Sequence, residues 1–390
     1  MLLASRRPGT AADAVNGIVP AFVVEPDTPE ALAAVLADAS RDRLQTVIRG
    51  GGTKTGWGRP APAVDLVVST AALNRLIAHR HGDLTVTVQA GMTLRELNRQ
   101  LRRERQWLPL ESAFDGSTIG GLVSTNEAGP SRHRNGTPRD LIIGITLALT
   151  DGRLVKAGGT VVKNVAGYDL GKLVSGSHGS FAAIADVTFK LVPMPRASTT
   201  IIARYADASA LTRDVAALAA SQLEPAPRSV FVRFASSPAA TDAQVAQARS
   251  MLSVTADVIT GEPEFDLWMS NIQAPWTDHA AVLRFSWLPT RLPQVLSLVA
   301  DAARQSGTFV GRALGAGLVG LDGDAAAQVA AIERLRGSTD IGHLVVLRAA
   351  PEVAAVVDAW GPPRDTDGAL RALKRMFDPA GILNAGRGVV

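Results

Sequence analysis

The segment from Asp115 to Gly129 constrains the fold of this chain more than any other stretch. It combines glycines with short polar side chains: Gly116, Gly120, Gly121 and Gly129 with Ser117, Thr118, Ser124, Thr125 and Asn126. Glycine lets a backbone approach a ligand closely and adopt positive φ, and the polar residues offer donors and acceptors at short reach. An irregular loop would explain a single glycine pair. The whole segment is more typical of a wall pressed against a flat or phosphorylated ligand.

A second glycine cluster follows the short apolar strand pattern that ends at Ile48. Its residues are Arg49, Gly50, Gly51, Gly52, Thr53, Lys54 and Thr55. Consecutive backbone N–H groups beside two cations favour a nest for an anion. It is not a Walker A loop, because Thr53 rather than glycine precedes the lysine, and its glycine spacing breaks the Rossmann fingerprint. We therefore predict a phosphate site outside both common nucleotide folds.

Length and composition indicate a globular protein of more than one domain. The 390 residues suffice for two or three cores, with two domains as the default. No apolar run reaches membrane-spanning length, and the N-terminal residues lack the apolar core of a secretory or twin-arginine signal. The sequence thus predicts a cytoplasmic protein with no direct membrane span.

The residue inventory excludes several functional classes. Cysteine is absent, which removes disulfides, thiolate metal sites, iron–sulfur clusters ligated by this chain and catalytic thiols. The six histidines show no metal-ligand spacing, so we expect no metal site. The formal charge is +4, but only residues 95–105 form a basic helix face, which suits a solvated surface or, less readily, an anionic partner. Aromatic residues are few and no recognition motif is visible, so nucleic-acid binding is not expected.

The first half of the chain predicts a β-α-β unit that ends on the Gly50 loop. A strand at 21–25 precedes a helix in which Asp27 or Thr28 can cap and Pro29 fits the first turn. Further predicted strands lie at 64–69, 84–89, 141–150 and 181–192, and a capping box at Thr93 begins a helix that runs to about 105. Asp151-Gly152 indicates a hairpin turn.

Beyond Pro195 the pattern changes to strands alternating with alanine-rich helices. Predicted strands lie at 199–205, 229–234, 281–288, 309–319 and 342–349, and predicted helices at 208–221, 240–252, 290–305 and 323–336. This alternation predicts an antiparallel sheet with helices on one side, in the ferredoxin-like manner. No internal repeat is visible in the sequence.

Taken together, these residues resemble the FAD-binding domain of the vanillyl-alcohol oxidase/PCMH flavoprotein family. The resemblance covers roughly residues 20–195 and the Phe377–Arg387 tail. In that family the loop matched by Arg49–Thr55 cradles the FAD pyrophosphate, and the segment matched by Gly116–Gly121 lies along the flavin. Other motifs in family order are Asn126–Gly129, Asp140, Asp151-Gly152, Gly167–Leu170 and Gly176–Gly179. The tail motif is typical of the D-lactate and glycolate dehydrogenase branch.

The resemblance implies an α+β architecture in three parts. Residues 1–195 would form a PCMH-type FAD-binding domain of two α+β lobes, 196–365 a ferredoxin-like cap domain, and 366–390 a C-terminal helix and tail returning to the FAD domain. The implied cofactor is FAD, non-covalent because the glycine loop has no histidine and the chain no cysteine. The implied cofactor-binding residues are Arg49–Thr55, Gly116, Ser117, Thr118, Gly120, Gly121, Ser124, Asn126, Gly129 and Ile184. For Ile184, backbone contact with the flavin and plain core packing carry equal weight.

Within that branch the chain is most similar to the FAD-binding E subunits of glycolate oxidases, above all in the run Val162–Asp169. Catalytic D-type subunits carry a His-x-Gly-Asp-Gly-Asn-x-His segment in the cap, whereas this chain keeps only His343 at the corresponding place. The resemblance implies a complex with a catalytic flavoprotein subunit and an iron–sulfur subunit. That complex would oxidise glycolate, a small 2-hydroxy acid, to glyoxylate and pass electrons to the quinone pool at the inner face of the membrane.

Two alternatives stay open at this point. The chain could be an autonomous FAD-dependent 2-hydroxy-acid dehydrogenase of the D-lactate type, in which residues such as Arg284 and His178 replace the missing histidines. It could instead be a non-catalytic assembly subunit, although its intact glycine loops disfavour a vestigial FAD site. His178 and His133 are candidate bases, and no catalytic residue is assigned.

Overall fold

A computed structural model gives the fold and describes residues 6–160, 168–218, 222–226, 229–277, 279–303, 307–312 and 315–388. The run 162–167, used above for the subfamily resemblance, lies outside these ranges. The chain divides into two compact units, the first formed by residues 1–128, 136–194 and 363–390 and the second by 129–135 and 195–362. None of the described helices is both long and apolar enough to cross a membrane.

The helices, in chain order, are α1 (Pro29–Arg41), α2 (Leu94–Leu101), α3 (Ile119–Thr125), α4 (Arg132–Asn135), α5 (Pro138–Leu141), α6 (Leu170–Val174), α7 (Ala208–Ala217), α8 (Pro238–Met251), α9 (Gly261–Gln273), α10 (Leu292–Ala302), α11 (Ala325–Arg336), α12 (Pro351–Ala354) and α13 (Asp367–Phe377). The strands are β1 (Arg7–Pro8), β2 (Phe22–Val24), β3 (Thr46–Arg49), β4 (Leu66–Ser69), β5 (Leu76–Arg80), β6 (Thr85–Gln89), β7 (Gln106–Trp107), β8 (Ile142–Ala148), β9 (Leu154–Gly158), β10 (Ala183–Lys190), β11 (Val192–Pro193), β12 (Ala197–Arg204), β13 (Gln222–Ala226), β14 (Ser229–Ser236), β15 (Ala256–Ile259), β16 (Ala281–Ser286), β17 (Thr308–Gly311), β18 (Ala316–Leu321) and β19 (Leu344–Arg348).

The first lobe of the first unit contains the predicted β-α-β unit. Its sheet has the order β1-β2-β4-β3, with β2 and β3 both parallel to β4. Helix α1 begins where the sequence predicts, because Thr28 Oγ1 accepts a hydrogen bond from Ala31 N at 3.1 Å and Pro29 fits the first turn. Its buried stripe, which includes Leu32 and Leu36, packs on β4 and on small residues of β8 and β10.

The second lobe is an antiparallel sheet of order β5-β6-β10-β8-β9, covered by α2 and α3. The predicted hairpin at Asp151-Gly152 joins β8 to β9, and Gly152 takes φ +86°. Helix α2 stops at Leu101, earlier than predicted, because the next residues tighten into a 3-10 turn that ends in left-handed Arg105.

The C-terminal tail closes the first lobe. Leu383 pairs in parallel with Thr46 beside β3, through Thr46 N to Ile382 O (2.9 Å) and Asn384 N to Thr46 O (2.8 Å). Lys374 Nζ donates to Asp378 Oδ2 (2.6 Å) and to the carbonyl oxygen of Leu383 (2.8 Å). The tail therefore adds an edge to the sheet that carries the Gly50 loop.

The second unit consists of two βαββαβ modules, a duplication that the sequence did not reveal. The first, β12-α7-β13-β14-α8-β15, has the sheet order β13-β14-β12-β15, and the second, β16-α10-β17-β18-α11-β19, has the equivalent order β17-β18-β16-β19. All described strand pairs in both sheets are antiparallel. The ferredoxin-like topology is thus present twice.

One expectation for the second unit was wrong, and one helix was missed. The predicted strand 309–319 is two antiparallel strands, β17 and β18, because Gly317 pairs back with Gly311. The sequence also gave no signal for α9, whose Trp268 is buried and donates through Nε1 to Thr200 Oγ1 at 2.8 Å.

We expect Leu383→Ala to lower the free energy of unfolding by about 2–5 kcal/mol, because the side chain is fully buried. Met376→Ala, in the same C-terminal region but with a side chain 75% exposed, should change it by less than about 0.5 kcal/mol. Urea denaturation followed by circular dichroism measures both. Equal effects of the two substitutions would contradict the packing of the tail.

Candidate functional site

A cleft in the first unit brings together the loop after β3, helix α3 and the C-terminal tail. It is lined by Ile48, Arg49, Gly50, Gly51, Gly52, Thr53, Lys54, Thr55, Thr118, Gly121, Ser124, Thr125, His178, Asn384 and Arg387. The two glycine segments that the sequence singled out therefore face the same space.

Ten of the sixteen residues predicted for cofactor binding line this cleft: Arg49, Gly50, Gly51, Gly52, Thr53, Lys54, Thr55, Thr118, Gly121 and Ser124. The other six lie elsewhere. Gly116 and Ser117 support the Gly50 loop from behind, and Gly120 packs on Ala90. Asn126 ends α3 with φ +48°, and Ile184 packs its side chain in the core of the second lobe. Gly129 belongs to the second unit.

Two glycines of the loop are required by contact with the protein itself. A Cβ on Gly50 would lie 2.1 Å from Thr118 Oγ1, and a Cβ on Gly51 would lie 1.9 Å from the carbonyl oxygen of Gly116. Gly52 takes φ +71°, which favours glycine for a conformational reason. The glycines thus let the loop lie directly on the segment 116–118.

The loop presents a row of main-chain donors. Among the described residues, no acceptor takes a hydrogen bond from the main-chain N–H groups of Gly50, Gly51, Gly52 or Thr53. Unpaired N–H groups along a cleft suit an oxyanion, as in a backbone nest. This donor set fits the pyrophosphate of FAD.

Helix α3 was not predicted, and its own N–H groups are already used. Ile119 N donates to Met92 O (2.9 Å), Gly120 N to Ala90 O (2.8 Å), and Gly121 N to Thr118 Oγ1 (3.3 Å). A Cβ at Gly120 would lie 2.9 Å from the Cβ of Ala90, so glycine permits this close packing. The second glycine segment therefore contributes the side chains of Thr118, Ser124 and Thr125 to the cleft, not a row of N–H donors.

A buried polar network joins the two segments. Lys54 Nζ lies 2.7 Å from Glu127 Oε2, and the side chains are 5% and 9% exposed. Lys54 Nζ also donates to Ser117 Oγ at 2.8 Å. Ser112 Oγ donates to Glu127 Oε1 at 2.9 Å and lies 2.7 Å from Ser117 Oγ. The charge of Lys54 is thus matched inside the protein.

Arg49 is held at the cleft by a buried carboxylate. Its Nη2 lies 2.8 Å from Asp13 Oδ1, and Arg7 Nη1 lies 2.7 Å from Asp13 Oδ2. Hydrogen bonds from Arg7 and Arg49 hold the pKa of Asp13 well below its usual range. Asp13 therefore fixes the position of the Arg49 guanidinium.

Five cleft residues were missing from the predicted set: Ile48, Thr125, His178, Asn384 and Arg387. Arg387 donates to the main-chain carbonyls of Thr55 and Trp57, and burial lowers its pKa to about 10. The sequence signal for Asn384 and Arg387 was the tail motif, because its Pro and Gly residues indicated a packed terminus. Their place in the cleft depends on the pairing of Leu383 with Thr46.

The two candidate bases lie in different units. His178 takes φ +53°, donates its main-chain N–H to Ser124 O at 2.8 Å, and lines the cleft. His133 lies on α4 in the second unit, where burial lowers its pKa. His178 lies in the cleft with ten of the predicted cofactor residues.

Comparison with known proteins agrees with this geometry. A family model described as an FAD binding domain matches residues 20–158. Residues 20–158 therefore belong to an FAD-binding domain, and the predicted cofactor, FAD, is confirmed. The α+β fold is confirmed by alkyldihydroxyacetonephosphate synthase, a solved structure with a TM-score of 0.70 at 14% identity, covering 95% of this chain and 76% of that chain.

Two curated relatives are glycolate oxidase subunits. Subunit GlcD of Bacillus subtilis (strain 168) is 31% identical over 209 residues, which cover 53% of this chain and 44% of that protein. Subunit GlcE of Escherichia coli (strain K12) is 32% identical over 212 residues, which cover 54% of this chain and 59% of that protein. The chain thus spans about half the length of these relatives.

We expect Gly51→Ala to weaken FAD binding about tenfold or more and to destabilise the first unit by about 1–3 kcal/mol, because the new methyl group meets a rigid carbonyl. Gly56→Ala is the matched control, since a Cβ there has no neighbour within 4 Å. Fluorescence titration of the apoprotein with FAD and thermal unfolding measure the two effects. A Gly51→Ala protein that behaves like Gly56→Ala would contradict the close contact.

We expect Asp13→Asn to cost about 1–3 kcal/mol of stability at pH 7, because two arginines lose a charged acceptor. The depressed pKa means that Asp13 contributes stability above its unfolded pKa, and that this contribution is lost as pH falls through the folded pKa. The difference between wild type and Asp13→Asn should therefore shrink in acid. Urea unfolding from pH 7 to pH 3 measures it.

Asp301→Asn, at an exposed ion pair with Arg334, serves as the control and should change stability by less than about 1 kcal/mol. A difference between wild type and Asp13→Asn that is independent of pH would contradict the pairing of Asp13 with the two arginines.

Proposed function

We propose that this chain is the FAD-binding subunit of a glycolate oxidase (glycolate dehydrogenase) complex. The observation that carries the proposal is the row of N–H groups from Gly50 to Thr53 that have no acceptor within the described part of the chain, which resembles two glycolate oxidase subunits. In this proposal glycolate is oxidised to glyoxylate, and the electrons pass through flavin to an iron–sulfur subunit. The complex would lie on the cytoplasmic side of the membrane, held there by its partner subunits.

Each wall of the cleft has a distinct task in this proposal. The N–H groups of Gly50–Thr53 hold the pyrophosphate, and the fixed guanidinium of Arg49 adds positive charge. The hydroxyls of Thr118 and Ser124 line the opposite wall. When bound, FAD would supply a redox group that accepts electrons and passes them on. We assign residues 1–195 and 366–390 to FAD binding, without a covalent bond to the protein, and 196–365 to the cap.

We assign substrate oxidation to the catalytic flavoprotein partner. A 2-hydroxy acid needs a cation for its carboxylate and a base for its hydroxyl proton. In the cap, the position that resembles the histidine-rich segment keeps His343 alone. The FAD of this chain would then relay electrons to the iron–sulfur subunit.

One observation favours a second candidate, an autonomous 2-hydroxy-acid dehydrogenase. His178 lines the same cleft as the cofactor residues and so offers a base beside the flavin site. A chain with its own base and a cation for the carboxylate, the roles for which the sequence offers His178 and Arg284, could oxidise glycolate or D-lactate without a partner.

The visible spectrum of the purified chain under anaerobic conditions separates the candidates. We expect bound flavin whose absorbance persists with glycolate or D-lactate alone and bleaches once the catalytic flavoprotein partner is added. Bleaching by either acid alone, abolished in His178→Gln, would contradict the relay role and support the autonomous enzyme. A protein that cannot be reconstituted with FAD would contradict both.

A further inference from the structure

We propose that the buried Lys54–Glu127 ion pair sets the spacing between the two walls of the FAD cleft and that Lys54 is not a phosphate ligand. Lys54 and Glu127 are then positioning residues. The proposal rests on the proposed binding of FAD at this cleft, and it reverses the expectation from the sequence, which placed the Lys54 charge beside the pyrophosphate.

The charge of Lys54 is directed into the protein. Its Nζ lies 2.7 Å from Glu127 Oε2 and donates a hydrogen bond to Ser117 Oγ at 2.8 Å, and the side chain is 5% exposed. The rings of Trp57 and Phe114 have centroids 5.8 and 5.6 Å from Nζ and meet each other edge to face. A cation enclosed by a carboxylate, a hydroxyl and two rings gains little by turning to a ligand.

The pair connects the two walls at the residues that face the cleft. Lys54 lies between Thr53 and Thr55, which line one wall, and Ser117 precedes Thr118, which lines the other and caps α3. Glu127 follows the end of α3 and accepts from Ser112, whose hydroxyl also contacts Ser117. A ligand that touches both walls therefore depends on how this network holds them.

Net stability does not explain why such a pair is present. The desolvation of two buried charges offsets most of their attraction, so an apolar pair of similar volume often folds as well. The spacing between two loops is a property distinct from net stability. A charge-assisted hydrogen-bond network restrains the distances between its members more tightly than apolar contacts do. Stability and FAD affinity can therefore be separated by substitution.

Glu127→Gln gives the sharpest test, because it keeps the shape of the side chain and frees the charge of Lys54. If the pair positions the walls, the dissociation constant of FAD should rise about tenfold, as for other residues that orient a ligand site indirectly. If Lys54 instead contacts phosphate, freeing its charge should leave FAD binding unchanged or make it tighter. Titration of the apoprotein of the full chain with FAD distinguishes the two.

Two further variants separate positioning from folding. Lys54→Met with Glu127→Leu should keep the thermal unfolding midpoint near that of wild type and still weaken FAD binding about tenfold. Lys54→Arg retains a positive charge beside Glu127 and should bind FAD more tightly than the double variant. The visible absorption maximum of the bound flavin should shift in the double variant and stay unchanged in Lys54→Arg. A purely structural role of the ion pair would shift it in neither variant.

The control is a half-buried ion pair, Arg233–Glu264 in the second unit, at 3.1 Å. Arg233→Met with Glu264→Leu should leave the FAD dissociation constant unchanged. Wild-type affinity in Glu127→Gln or in the Lys54/Glu127 double variant would overturn the positioning role. Failure of the wild-type chain to bind FAD would refute the proposed function itself, a distinct outcome.

Discussion

The direct contact between the Gly50 loop and residues 116–118 is the constraint on which the first unit depends. Two positions of the loop admit no side chain, since a Cβ at Gly50 or Gly51 would lie within about 2 Å of Thr118 or Gly116. The first lobe carries the loop and the second lobe carries α3, so this contact also fixes one lobe against the other. The cleft is the space left beside the contact, and its donors are the main-chain N–H groups that find no acceptor among the residues the structure describes.

The C-terminal tail completes this arrangement from the far end of the sequence. Leu383 pairs beside β3, the strand that ends in the glycine loop, and the chain then places Asn384 and Arg387 in the cleft. The amino group of Lys374 bonds Asp378 and the carbonyls of Ser180 and Leu383, which ties α13, the tail and the segment before β10 together. The site is therefore assembled from three distant parts of the chain, and its geometry requires all three.

Local signals in the sequence were sufficient for part of this structure. The cap and apolar spacing of α1, the hairpin at Asp151-Gly152 and the two glycine segments were all found, because each depends on neighbouring residues. Helix α3 was missed because its glycines argue against a helix, whereas bonds from Ile119 and Gly120 to residues 90–92 stabilise it. The partner of Lys54 could not be predicted, since Glu127 is remote in sequence. The duplicated βαββαβ module also left no sequence signal, because a shared topology requires no shared residues.

We propose that FAD lies in this cleft with its pyrophosphate on the Gly50 loop. A crystal structure of the chain reconstituted with FAD tests it most directly. We expect pyrophosphate oxygens at hydrogen-bond distance, about 2.7–3.2 Å, from the nitrogen atoms of Gly50–Thr53, with the Lys54–Glu127 pair intact behind them. Bound FAD whose pyrophosphate lies away from this loop, or a Lys54 amino group turned from Glu127 to a phosphate, would contradict the account.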